Sequence, residues 1–147
     1  MTHLQFTVYA VPVAQPRQRH RIVNMRAGKS WVHNYTPAKD PVNSYKYQIK
    51  EKARTYMDGA PLLEGPLKLA CHLFLPRPAK FDAKKYPQGP IWHTGKKDFD
   101  NLGKSVADAL TGIVYRDDGQ ICWAEVAKRY HGRDEAPRVE IEIWCLE

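Results

Sequence analysis

Cysteine is sparse in this chain: three among 147 residues, at Cys71, Cys122 and Cys145. An odd, widely spread set argues against a disulfide framework, and no pair has zinc-finger spacing. Each sits among apolar neighbours, so we expect buried free thiols. No apolar run approaches the roughly 18 residues of a membrane-spanning helix. The opening stretch, MTHLQFTVYAVPVAQPRQRHR, lacks the charged-then-apolar layout of a secretory signal, which gives a cytoplasmic reading. Internal repeats and low-complexity segments are also missing. Acid is the scarcer charge, 16 Asp and Glu against 23 Lys and Arg, for a formal net charge of +7. That excess favours nucleic acid or another polyanion as partner. Hydrophobic residues at 43% suit a folded chain, and the length suits a single domain spanning 1–147.

The local patterns predict an α+β fold: a mixed four- to five-stranded sheet covered by two main helices. Residues 4–11 alternate apolar and polar as a half-buried strand, stopped by Pro12. PRQRHR follows, a basic loop whose Arg17, Arg19 and Arg21 are candidate phosphate clamps; a plain solvated loop is the alternative. Trp31 to Tyr35 form a short strand. Residues 41–58 repeat apolar side chains at helical spacing from Tyr45, between Pro41 in the first turn and Gly59 at the stop. Residues 67–75, LKLACHLFL, form a further strand, with His72 on its opposite face and not a ligand. Residues 76–97 hold no period of 2 or 3.6 and read as a flexible basic flap, with Lys96 and Lys97 as candidate DNA contacts and His93 of undetermined role. Residues 121–130 and 138–146 are strand-like, with a turn between them, and are expected to pair as an antiparallel hairpin.

Residues 97–120, KDFDNLGKSVADALTGIVYRDDGQ, concentrate acid inside this basic chain. A helix is expected over 101–111, with stripe Leu102, Val106, Ala109 and Leu110, Asp100 as its N-cap and Asp98 as competitor. Gly112 suits the left-handed position beyond its end. Asp98 and Asp100, two apart in an extended segment, would project to one side. A strand after Asp118 could return that carboxylate to the same place. Three converging carboxylates repel unless a cation compensates, and Mg²⁺ takes such oxygens. Lys104, one turn beyond Asp100, could stabilise transition-state charge, and Asn101 could orient a carboxylate. The spacing points to metal-dependent phosphodiester hydrolysis. Taken singly, the same residues read as a cap, an ordinary turn and a Lys104–Asp108 surface ion pair.

The pattern DxDNLxKxxxDALxGxxxxDDxQ resembles the RusA family of Holliday junction resolvases, endodeoxyribonucleases of phages and prophages. PRQRHR, NYTP before a helix, GPLKLACHLFLPRP and the closing PRVEIEIW fit as well, so the resemblance covers nearly the whole chain. It implies a Mg²⁺-dependent homodimer, with Mn²⁺ as a possible substitute, that binds branched DNA. Four-way junctions would be nicked symmetrically in two opposing strands. It implies catalytic, metal-holding Asp98, Asp100 and Asp118 and an essential Lys104, with Asp117 secondary. Lys97 departs from the proline that the family often has there. Two other readings stay open: a DNA-binding module without catalysis, and a Mg²⁺ nuclease of flaps or forks.

Overall fold

A computed structural model of the chain describes residues 3–16, 19–24 and 28–147, and only the backbone of residues 19, 20 and 33. Among the described residues, seven strands and two α-helices follow one another as β1 (His3–Val8), β2 (Arg19–Asn24), β3 (Ser30–Tyr35), α1 (Pro41–Met57), β4 (Leu67–Leu75), β5 (Ile91–Trp92), α2 (Phe99–Leu110), β6 (Ile121–Tyr130) and β7 (Arg138–Cys145). Five strands make one mixed sheet in the order β1-β7-β4-β6-β5, and β2 and β3 form a separate ribbon. The arrangement is α+β, as the sequence predicts.

Helix α1 starts where Asp40 accepts a hydrogen bond from the Val42 N–H at 2.9 Å and Pro41 supplies a preset φ. Val42, Tyr45, Ile49, Ala53 and Met57 make its buried stripe. It ends at Asp58 and Gly59, both in left-handed backbone. Helix α2 buries Leu102, Ser105, Val106, Ala109 and Leu110. Both stripes pack on one sheet face, against Phe6, Leu69, Cys71, Leu73, Ile141 and Ile143. Burial pushes the Cys71 thiol up to about 12, so it remains protonated at neutral pH.

The expected pairing of residues 121–130 with 138–146 is not made. Strand β4 lies between β6 and β7, parallel to the first and antiparallel to the second. The reason is burial. LKLACHLFL is the most apolar strand of the chain, and seven of its nine residues are buried, which only a central position can provide. The parallel β4–β6 pair needs a crossover, and α2 is its helix. A second correction concerns the thiols: Cys71 is buried, Cys145 half-buried and Cys122 exposed. The register of β4 against β6 shifts so that Ile121 pairs with Leu67 and Trp123 with Lys68. Cys122 is the extra residue of that bulge.

Two basic segments also depart from expectation. Residues 19–24 are not loop but strand β2, with Ile22 opposite Val32 and Val23 opposite Trp31. Residues 76–97 are not a structureless flap. The Arg77 guanidinium donates to the carbonyls of Phe81, Pro87 and Gly89 at 2.7, 2.7 and 2.9 Å. Phe81 packs edge-on against Tyr86 and tilted against Tyr130. One arginine thus takes the place of a regular ladder, which is why no period is visible there. Among the described residues, no helix is long and apolar enough to cross a membrane.

Candidate active site

Helix α2 and the turn before β6 frame a cavity of about 610 Å³. Asp100 and Lys104 enter it from the helix, Asp118 from the turn, and Ile121, Glu125 and Val126 from β6. Strand β5 pairs only with Arg129 and Tyr130 of β6, so the first half of β6 borders the cavity as a sheet edge. Gly103 sets the closeness of helix and strand: a Cβ there would come within 2.9 Å of Val126 Cγ2. Glycine within a helix costs roughly 1 kcal/mol relative to alanine. Here that cost brings the flanking Asp100 and Lys104 down onto β6.

The electrostatics form a chain of alternating sign. Lys104 Nζ lies 3.0 Å from Asp108 Oδ1 and 3.5 Å from Asp118 Oδ2. Lys46 Nζ lies 3.7 Å from Asp108 Oδ2. Hydrogen bonding to Asp108, with Asp118 adding to it, raises the Lys104 pKa above the ordinary lysine range. Both carboxylates thus favour its charged form, which suits a cation beside the cavity. Burial first lowers the Lys46 pKa, opposed by Asp108.

Asp118 owes its place to the residues on either side of it. It opens a short 3₁₀ turn, Asp118–Gln120, capped by Asp117, whose carboxylate accepts from the Gly119 N–H at 2.9 Å. That backbone hydrogen bond holds the Asp117 carboxyl below the usual range. Gln120 closes the turn. Its Oε1 accepts from the backbone N–H groups of Arg116 and Asp117 at 3.0 and 3.1 Å. Its Nε2 donates to the carbonyls of Leu63 and Gly65, both at 3.0 Å. Gln120 was not singled out in the sequence, although Asp117-x-x-Gln120 has capping-box spacing. Asp117, of unassigned role in the sequence, serves here as the cap of the turn.

The premise placing Asp98 and Asp100 on one side does not hold. The helix starts at Phe99, so Asp98 is its N-cap, without a side-chain capping bond, and Asp100 lies in the first turn. Helical residues two apart do not share a face. Asp98 is exposed and does not line the cavity that Asp100, Lys104 and Asp118 share. Among the described residues, no three Asp, Glu, His or Cys side chains are grouped to hold a metal. Three carboxylates line the cavity, Asp100, Asp118 and Glu125; Glu125 is paired with Lys68 at 3.1 Å, which leaves Asp100 and Asp118 as the candidate pair. That donor set suits Mg²⁺, which binds through one or two carboxylates, waters and phosphate oxygens, better than ions needing a complete protein cage. The Asn101 bond to Asp100 Oδ1 comes from its backbone N–H, at 2.9 Å.

The remaining candidates lie around this centre. Lys96 and Lys97 are exposed just before α2, and the Lys128 ammonium donates to the carbonyl of Lys97 at 2.5 Å and that of Gly95 at 3.1 Å. His93 packs on Tyr130 with ring centroids 4.6 Å apart and does not line the cavity; burial, then Lys128, lowers its pKa. Arg21 is exposed on β2, its guanidinium 5.8 Å from the Tyr35 ring centroid. Arg19 lies on the same strand, and Arg17 falls outside the described residues.

Asp100, Lys104 and Asp118 thus meet in one cavity at an open strand edge, a donor and cation set compatible with phosphate chemistry. The family model for endodeoxyribonuclease RusA matches residues 10–144, and the chain belongs to that family. Membership makes it an endodeoxyribonuclease, a phosphodiester hydrolase. Among its relatives is an uncharacterized protein, YqaN, of Bacillus subtilis (strain 168), 35% identical over 97% of this chain and 96% of that protein. Another is the crossover junction endodeoxyribonuclease rusA of Lactococcus phage r1t, 40% identical over 53% of each chain.

Proposed function

We propose that the protein is a Mg²⁺-dependent resolvase that nicks four-way DNA junctions symmetrically in two opposing strands. Asp100 and Asp118 would hold the cation, Mg²⁺ or Mn²⁺ in its place, and Asp98, whose side chain makes no capping bond, would complete the set. When bound, such an ion acts as a Lewis acid on the scissile phosphate and lowers the pKa of a bound water. The chain's own residues do the rest. Lys104 keeps its positive charge beside Asp118 and stabilises charge gathering on the phosphoryl oxygens. The Asp117–Gln120 turn holds Asp118 in place before substrate arrives. Arg17, Arg19, Arg21, Lys96 and Lys97 contact phosphates and position the duplex arms. Two symmetric nicks require two such centres related by a two-fold axis, hence a homodimer.

The observation that carries this reading is the meeting of Lys104 with Asp118 in a cavity shared with Asp100. Its test compares labelled four-way junction, fork, flap and linear duplex, with and without Mg²⁺. Paired, metal-dependent nicks in the junction are expected, abolished by Asp98→Asn, Asp100→Asn and Asp118→Asn while junction binding persists. Cutting at the wild-type rate by any one of these variants would remove that residue from the metal set. Preference for fork or flap would reassign the substrate.

A further inference from the structure

The β2–β3 ribbon plays no part in the cavity, yet its chemistry is that of a nucleic-acid element. Among the described residues, its strands pair only with each other. The chain carries no Asp or Glu before Asp40, while Arg17, Arg19, Arg21, Arg26 and Lys29 fall within it. The cross-strand pairs put Arg21, Val23, Trp31 and Tyr35 on one face and Ile22 with Val32 on the other. Ile22 and Val32 are opposite one another and 70% and 60% exposed, and Trp31 is 48% exposed. Two β-branched apolar side chains opposite one another in water, on a ribbon that carries no acid and has Arg21 on its other face, are exposed apolar surface.

The root of the ribbon is fixed at the active site. The Gln15 N–H donates to the Asn101 carbonyl at 2.9 Å, and Ser105 Oγ donates to the Val13 carbonyl at 2.7 Å. Asn101 neighbours Asp100. Arg19 lies four positions after Gln15, so β2 begins within about 14 Å of the point tied to α2. Whatever the ribbon touches is therefore close to the phosphate cut.

We infer that this ribbon is a wedge for branched DNA: Ile22 and Val32 pack against bases exposed at the branch point, while Arg21 and Lys29 hold the flanking phosphates. The inference rests on the proposed junction-cutting function. Charge complementarity selects DNA over an apolar protein partner, since a strip without a single acid repels basic surfaces and attracts phosphate. The apolar pair selects the branch over plain duplex, because only there do unstacked base faces stand open to side chains of this kind. Specificity for a branch would then come partly from the ribbon and not from the acid centre alone.

The test is an Ile22→Ser/Val32→Ser double variant, compared with wild type on a four-way junction carrying 2-aminopurine at the branch and on linear duplex. Both positions are exposed, and circular dichroism with thermal melting checks that the fold is kept; Ile22→Val/Val32→Ile serves as the conservative control. Wild type, without divalent metal, should raise the 2-aminopurine fluorescence on binding. The serine variant should lose that rise and cut the junction roughly five- to hundredfold more slowly, in line with losing one stacked base. Linear-duplex affinity should change less than about twofold, since that term is phosphate contact. Retained fluorescence and cutting in the serine variant would overturn the wedge and leave the resolvase reading standing. If wild type itself does not cut branched DNA, the resolvase reading fails and the wedge with it.

Discussion

Replacing Gln120 by alanine should cost more activity than any substitution of a residue so far from phosphate chemistry has reason to. Its side chain makes four hydrogen bonds: two accepted from the N–H groups of Arg116 and Asp117, two donated to the carbonyls of Leu63 and Gly65. A net contribution of about 0.5–1.5 kcal/mol per bond sets an upper range of about 2–6 kcal/mol. Three of the four lie in exposed surroundings, where water replaces the lost partner. A destabilisation of about 2 kcal/mol is the expected net, or about 4–8 °C in Tm at this chain length. The larger effect should fall on cleavage. Asp118 sits inside the turn that Gln120 closes, and a misplacement of about 1 Å at a reacting centre can cost about a hundredfold. Gln120→Ala should therefore cut a junction about ten- to a hundredfold more slowly at a temperature where it is fully folded, with junction affinity little changed. Gln120→Glu separates the two halves of the clamp: it can still accept from Arg116 and Asp117 but cannot donate to Leu63 and Gly65. It should keep the turn but loosen its attachment to residues 63–65, and fall between wild type and alanine. If Gln120→Ala melts and cuts as wild type does, the turn is held by something else and Asp118 does not depend on it.

Gly103→Ala should gain helix propensity yet lose activity, because the added methyl meets Val126 and lifts α2 away from β6; cleavage and melting measured on one preparation would separate the two effects. Lys104→Ala should lose about 10²-fold or more in rate with the fold intact, Lys104→Arg should restore part of it, and unfolding of the alanine variant would instead mark the Asp108 pair as structural. The pKa of Lys104 is raised in the fold, so its stabilising share is fully present below the unfolded lysine value of about 10.4 and is lost as pH rises through the higher folded value; rates between pH 6 and about 9 should show no inflection removed by Lys104→Arg. Asp117 behaves in the opposite sense, its lowered pKa giving a contribution present above the unfolded value of about 3.9 and lost as pH falls through the folded one; Asp117→Asn should flatten the acid limb of a melting-against-pH curve. Junction affinity should fall with salt at a log–log slope of about −0.9 per neutralised phosphate, and each of Arg21→Ala and Lys97→Ala should reduce that slope by about one.

The fold was legible where one element could be read by itself. Residues 67–75 emerge as β4 with the expected bounds, and 41–58 as α1 within a residue, since apolar periodicity and the Pro41 and Gly59 signals are local. Strand pairing is not local. Joining β6 to β7 by proximity in sequence fails because β4, buried on both faces, competes for the place between them. Likewise the alternation of Arg19–Asn24 is hidden by its charges: polarity suggests a loop, while pairing with residues 30–35 makes a ribbon. Arg77 satisfies four carbonyls with one side chain, and no spacing rule announces that.

The candidate site divides in the same way. Asp100, Lys104 and Asp108 are brought to one side of α2 by helical spacing alone, so the sequence sufficed. Their junction with Asp118 is long-range and depends on β6 lying parallel to β4 with α2 across it, a topology no pair of residues encodes. Asp98 departs from the expected same-side placement for a physical reason that the sequence contains but does not advertise. The period changes from 2 to 3.6 between it and Asp100, and a spacing of two means the same side before that boundary and a different side after it. Gly103 was passed over and Gln120 stood in the family pattern without a role for the converse reason, since one matters by lacking a side chain and the other by binding only backbone. A search for charged groups passes over both. Yet they set the distance and the angle at which the charges meet, so substitutions at these two uncharged positions should separate the placement of the centre from its charge.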